Sequence, residues 1–527
     1  MNRRRFIRNV GASGLAVAAL PTVIDKFSVR ALAGQDHAIG KLLGDSDRIL
    51  VLIQLAGGND GLNTVIPIED SLYYNNRPNL AIRKEKTVKI NDTLGFHPSL
   101  EGLGAMYADG SLAIVQGVSY PNPDRSHFRG TDIWLTATDA DVFGTTGWVG
   151  RYLDTKAPNF PTTLPPEPLA VQIGTALSLG LTGPGGAMAV TCRDPDEFYR
   201  LVNAGGAIEE VPSADLGDTQ AAREVAFMRN VAKSADVYAS VVKQAADKAP
   251  ASSVTYPATQ LASALKVVAQ LITGGLTSKV YLVSLTNGSF DTHANQVNAS
   301  DPTLGNHAAL LSELNGAVSA FMKDLKNQGQ ADRVAGMTFS EFGRRVAENG
   351  SLGTDHGTAA PMFVFGGKVN GAVYGANPDL VNLDERGDLL VGNDFRKVYA
   401  SVLLQWFGEP TTLGEQVLYK DFTDASLPLF ALPSVVSEGA GAGSLLGFRS
   451  VAPNPASADV TAYVTINVAA DATLDISDMQ GRRIASVPVD SVAGQARFNV
   501  STLTNGTYVL TLRSGRAASH TILRVVH

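Results

Sequence analysis

The chain predicts an α/β protein with a three-layer, mostly parallel sheet, followed by a small all-β sandwich. Three observations carry that expectation. Near-continuous apolar runs at Arg48–Leu55 (RILVLIQL) and Lys279–Leu285 (KVYLVSL) have the pattern of strands buried on both faces. Helical periodicity fills the intervals between such strands over roughly 400 residues, the alternation of a sheet wrapped by helices. Beyond Pro433 the pattern becomes alternating and β-branched, as in Val464, Ile466 and Val468, with glycines at 481, 494, 506 and 515 punctuating turns.

The length of 527 residues favours more than one domain, and 44% hydrophobic residues support a sizeable core. With 43 basic against 50 acidic side chains the net charge is -7, so no nucleic-acid surface is expected. The lone Cys192 excludes an intrachain disulfide and reads as a small buried hydrophobe.

Residues 1–33 read as an export signal. Arg3, Arg4 and Arg5 precede an apolar, glycine-rich run from Val10 to Leu20, and Ala31-Leu32-Ala33 offers a cleavage site. The expected α/β domain spans 34–432, a Gly/Ala/Ser linker 433–447, and the sandwich 448–527. No integral membrane segment is expected once the signal is removed.

Candidate functional residues sit where strands end. The first strand runs into Ala56-Gly57-Gly58-Asn59-Asp60-Gly61, which puts the Asp60 carboxylate at the sheet edge; a plain Asn-Asp-Gly turn is the alternative. A strand over Leu112–Val118 leads into a proline-stiffened loop and then a helix, with Ser126 at the helix start. There it faces bare N–H groups that bind anions, or it simply caps the helix.

The third apolar run is followed by Asp291, His293 and His307, a carboxylate and two imidazoles that suit a divalent ion such as zinc. The stretch from Phe339 to Gly366 then supplies Glu341, Arg344, Asp355 and His356 between two strands, Val334–Ser340 and Pro361–Phe365. A last helix is expected from Asp394 through Trp406.

Long ordered phrases cover residues from about 48 to 408: LAGGNDGLNTVIP (55–67), YPNPDRSHF (120–128), GWVGRYL (147–153), FDTH (290–293), SEFGRRVAENGSLGTDHG (340–357) and DFRKVYASVLLQWFG (394–408). On these the chain resembles the domain of unknown function 1501 family, within the alkaline-phosphatase-like superfamily that also holds sulfatases. The resemblance implies a sheet of alkaline-phosphatase/sulfatase type and one or two divalent ions, zinc being the expected metal, bridged by a Ser or Thr nucleophile.

Carried over, Asp60 would be a first-strand ligand, Ser126 the nucleophile, and Asp291 with His293 or His307 would hold one ion. In one register Asp355-His356-Gly357 binds the ion beside Ser126. In the preferred one Glu341 takes that ligand's place, Phe342 replaces a histidine, and His356 serves the other ion. Arg125, Arg129 or Arg344 would then supply charge against a small anionic ester. A sulfatase is disfavoured, because Ser126 lacks the formylglycine spacing.

Arg3-Arg4-x-Phe6-Ile7-Arg8 resembles a twin-arginine signal. Ala452-Pro453-Asn454-Pro455-Ala456, Asp478-Met479-Gln480-Gly481-Arg482 and Leu503-Thr504-Asn505-Gly506-Thr507-Tyr508-Val509 resemble a type IX secretion sorting domain. The expected partners are therefore the twin-arginine and type IX secretion machineries, with periplasmic transit and then secretion or surface attachment. The expected function is an exported metal-dependent hydrolase of phosphate or related esters. Its rival is a catalytically inactive scaffold of the same fold that binds an anionic ligand or partner at the cell surface.

Overall fold

Strand β1 (Ile49–Leu55) is the spine of the larger unit. Ile49, Val51, Ile53 and Leu55 enter one core and Leu50 and Leu52 another, the two-residue period of a strand covered on both faces. The computed structural model describes residues 47–204, 220–285, 289–422, 425–430, 446–452, 454, 456–466, 472–477, 483–490, 494–514 and 517–527. The expected export signal with its Arg3-Arg4 pair, the expected linker as far as residue 445, and residues 286–288 and 478–482 lie outside them. The described residues fall into two compact units that divide after residue 431.

The central sheet contains β2 (Leu112–Ser119), β3 (Ala170–Gln172), β4 (Ala189–Thr191), β5 (Val280–Leu285), β6 (Val334–Phe339), β7 (Ala360–Gly366), β8 (Val373–Tyr374) and β9 (Asn393–Asp394). Their order is β8-β2-β7-β6-β1-β5-β3-β4, with β9 pairing β2. Every pairing is parallel except those of β7, which runs antiparallel to β6 and β2. The start of β7 therefore shares a sheet edge with the ends of its neighbours: Ala360 pairs Val118, and Leu55 pairs Leu285.

One face is covered by α1 (Glu101–Ala108), α4 (Gln220–Lys248), α5 (Gln260–Thr273) and α6 (Asn306–Asn327). The other carries α2 (His127–Thr136), α3 (Trp148–Lys156) and α7 (Phe395–Ser401). Asp394 caps α7 by accepting from the Arg396 N–H, and the run to Trp406 finishes as a π-helical turn, so the α-helix is shorter than its apolar pattern predicts. Among the described residues no helix is long and apolar enough to cross a membrane.

The C-terminal unit has two antiparallel sheets. One orders Leu446–Ala452, Asp459–Ile466 and Gln495–Asn499; the other orders Arg483–Pro488, Ala472–Ser477, Gly506–Ser514 and Ala517–Val525. Val460, Val464, Leu474, Leu510, Leu512 and Leu523 form its core, as inward-facing positions of alternating strands do.

Candidate metal centre

Four chain segments meet at the edge where β1, β5 and β6 end and β7 begins. Gly57 makes the approach possible. Its φ is +113°, and a Cβ there would lie 2.3 Å from Ser289 Oγ and 2.4 Å from the Asp291 nitrogen, so any other residue would hold the 289–291 loop off the end of β1. The Gly57 N–H donates to Glu341 Oε1 at 2.8 Å, tying the ends of β1 and β6 together.

Asp291 Oδ1 is the hub. His293 Nε2 and His356 Nε2 each stand 3.1 Å from it, His127 Nε2 3.4 Å, and Arg344 Nη2 donates to it at 2.6 Å. His293 Nε2 and His356 Nε2 are themselves 2.9 Å apart. The ligand atoms of His127, Asp291 and His356 all lie within 4.8 Å of one another.

Each imidazole is held from behind by an oxygen. His127 Nδ1 meets Glu341 Oε1 at 2.8 Å, His293 Nδ1 meets Asp355 Oδ1 at 3.0 Å, and His356 Nδ1 meets the Arg125 carbonyl at 2.8 Å. A carbonyl only accepts, so His356 carries its proton on Nδ1; the two carboxylates impose the same tautomer on His127 and His293. Three Nε2 atoms thereby converge on one carboxylate oxygen. Glu341 and Asp355 orient histidines here and leave the centre of the cluster to Asp291 and the three imidazoles.

The electrostatics match. Burial raises the Asp291 pKa, but the hydrogen bond and charge of Arg344, followed by His356 and His293, outweigh it and hold the carboxyl at about 2. Hydrogen bonds from Asn349 and His293 keep Asp355 below the usual carboxylate range. Burial lowers His356, offset in part by its bonds to the Arg125 carbonyl and Asp291.

Other expected residues lie elsewhere or do other work. Asp60 is fully buried, with Oδ2 taken by Arg77 Nη1 at 2.6 Å and by Gln296 Nε2. His307, also buried, pairs Nε2 with Asn59 Oδ1 at 3.0 Å, and burial pulls its pKa down to about 4. These two belong to an enclosed polar network rather than to the cluster.

Arg344 is enclosed as well. Its guanidinium serves the carbonyls of Gly57, Gly58, Thr354 and Phe290 besides Asp291, so it organises loops and cannot reach a substrate. Arg129 turns away to the Ala140 and Val142 carbonyls and stacks over Phe143 at 4.1 Å. Ser126 is exposed, and its hydroxyl makes no capping bond to α2, which leaves it free of the commonplace role for such a serine.

Phe342 packs its ring 4.9 Å from that of His127 and 4.7 Å from that of His356, a wall for two imidazoles. His127 was not singled out from the sequence. Its signal was modest: a histidine directly after Ser126, on the first turn of the helix that follows a strand end. An open cleft of about 340 Å³ runs past the cluster, bounded by Gly57, His127, Phe128, Ser289, Asp291 and Glu341 among others.

Residues 209–408 match the family described as "Protein of unknown function (DUF1501)". Residues 450–525 match "Secretion system C-terminal sorting domain". No curated protein matches the chain. Similar solved structures include a protein of multiple glycosaminoglycan metabolism from Bacteroides thetaiotaomicron, at 8% identity over 86% of this chain and 90% of that one, TM-score 0.33. Phosphonate monoester hydrolase from Silicibacter pomeroyi is similar at 10% identity over 91% and 89%, TM-score 0.32. A protein in the alkaline phosphatase superfamily from Vibrio parahaemolyticus is similar at 9% identity over 92% and 83%, TM-score 0.32.

Proposed function

We propose that this chain, whose residues 209–408 belong to the DUF1501 family and whose sorting domain marks it for export to the medium or cell surface, is a metal-dependent hydrolase of phosphate or related esters. The observation that carries the reading is the meeting of His293 Nε2 and His356 Nε2 at 2.9 Å, with both Nδ1 atoms already committed to oxygen acceptors. Two imidazole nitrogens at that distance need a positive centre between or beside them, either a shared proton or a metal ion. Tetrahedral zinc with bonds of about 2.0–2.1 Å has ligand-to-ligand edges of about 3.3–3.4 Å. The separations of 3.1–3.4 Å around Asp291 Oδ1 are close to that value, and the nitrogen and oxygen donor set suits such an ion.

In this reading His127, His356 and Asp291 hold the ion, with His293 as the further ligand. Held by these residues, an ion would supply Lewis acidity and positive charge for the breaking of an ester bond. The chain's own part is to position. Glu341, Asp355 and the Arg125 carbonyl fix the imidazoles, and Ser126 offers the nucleophilic hydroxyl. The first turn of α2 presents N–H groups to anionic oxygens. The peptide bond entering Ser126 lies against the cluster, because the Arg125 carbonyl is the one that receives His356.

The test is metal analysis of the purified full chain. The unmutated protein is expected to hold about one ion, lost in Asp291→Ala, and to turn over a phosphomonoester or phosphodiester in a manner abolished by Ser126→Ala with the ion retained. A chain that binds no ion sinks the reading. One observation favours the scaffold alternative: Arg344 already places a cation on Asp291 Oδ1. Ion-free protein that binds phosphate or sulfate without turnover would establish that alternative.

A further inference from the structure

Phe128 is the second residue of α2, next to the cluster residue His127, and its side chain is 87% exposed. It is the large apolar side chain bounding the same cleft as His127, Asp291 and Glu341. Phe342 is packed on the imidazoles and Trp134 on Phe395, and Phe143, exposed on its other side, has the Arg129 guanidinium over its ring. An uncovered phenyl ring loses the favourable transfer of its surface out of water, and a ligand that covers it recovers that gain.

We propose that Phe128 is the platform for the leaving group, and that the substrates are esters whose alcohol portion is aryl or otherwise apolar and carries no negative charge. This rests on the hydrolase reading. The chemistry of the cleft selects the class. With Asp132 on the same wall as Phe128 and the Glu341 carboxylate behind, a second negative charge on the alcohol portion is repelled, whereas a neutral ring is not. An anionic lipid surface is disfavoured as the occupant by Asp132, which bounds the cleft together with Phe128 and repels anionic headgroups.

Binding of phenylphosphonate and methylphosphonate, inert mimics of an aryl and an alkyl ester, tests the platform. The metal-loaded full chain is expected to bind the phenyl compound about tenfold tighter, from ring burial alone. Phe128→Ala brings the two affinities together, Phe128→Trp keeps them apart, and both variants retain the ion. Equal affinities in the unmutated protein, or a preference that survives in Phe128→Ala, overturn the proposal. So does an Ala variant that keeps the preference but no longer sediments with phosphatidylglycerol vesicles, which would make the ring a membrane contact. An ion without the preference sinks the platform and leaves the hydrolase reading standing; the preference without an ion sinks the hydrolase reading and leaves Phe128 as part of a binding site only.

Discussion

His127 Nδ1 lies 2.8 Å from Glu341 Oε1, and the same oxygen receives the Gly57 N–H at 2.8 Å. One buried carboxylate thus aims an imidazole and closes the loop after β1. Removing such an orienting partner typically costs 10–100-fold in metal affinity. Glu341→Ala is expected to weaken ion binding by about that factor, and Glu341→Gln, which keeps an acceptor, by less. Competition with a chelator of known affinity reads both; equal affinity in all three proteins would show that His127 needs no such support.

The enclosed Arg344 predicts a stability effect. Arg344→Met strands four loop carbonyls and the Asp291 carboxylate, and breaking a buried charged network in this way costs about 3–5 kcal/mol. The neighbouring Arg345, partly exposed in its pair with Asp388, is expected to cost about 1 kcal/mol or less when changed to Met. Urea denaturation of the two variants separates these roles.

Gly58 has φ of +78°, and a Cβ on it would sit 2.4 Å from Phe342 Cε2. Gly58→Ala therefore pushes the ring off His127 and His356 while forcing a left-handed alanine, at about 1–3 kcal/mol. Stability is read by denaturation and the imidazole walls by ion affinity. Loss of stability with affinity unchanged would mean that Phe342 only fills space.

Burial lowers His307 to about 4 and His97 to about 3 from an ordinary value of 6.5. Both stay neutral in the fold at a pH where the unfolded chain takes up protons. The stability they protect is complete above about pH 6.5 and is lost as pH falls through 4 and then 3. The urea midpoint is expected to decline from pH 6.5 to 4, with a shallower slope in His307→Gln. An unchanged slope in that variant would remove His307 as a cause.

The fold class was legible because it depends on local pattern. RILVLIQL and KVYLVSL could only be strands covered on both faces, and the alternation after Pro433 is the signature of facing sheets. The site was legible in part. Asp291, His293 and His356 stand in polar loops at strand ends, where composition alone draws attention, and they do meet. Asp60 looked equivalent, but its partner Arg77 lies 17 residues away in a segment with no motif, and pairing there encloses the carboxylate. Arg344 and Arg129 read as charges for a substrate, since nothing in a sequence says whether a guanidinium will find carbonyls first. The roles of Glu341 and Asp355 depend on which histidine ring each backs, a relation across 214 and 62 residues.

The bonds from Arg344 to the Gly57 and Gly58 carbonyls span 287 and 286 residues. As the chain leaves the ribosome, the Gly57 and Gly58 carbonyls lack their guanidinium partner until β6 and the segment beyond it have been made, and such distant contacts form late in folding. The cluster is thus finished only when the whole sheet closes. For an exported protein, the compartment in which that closure takes place decides which ions compete for the three histidines.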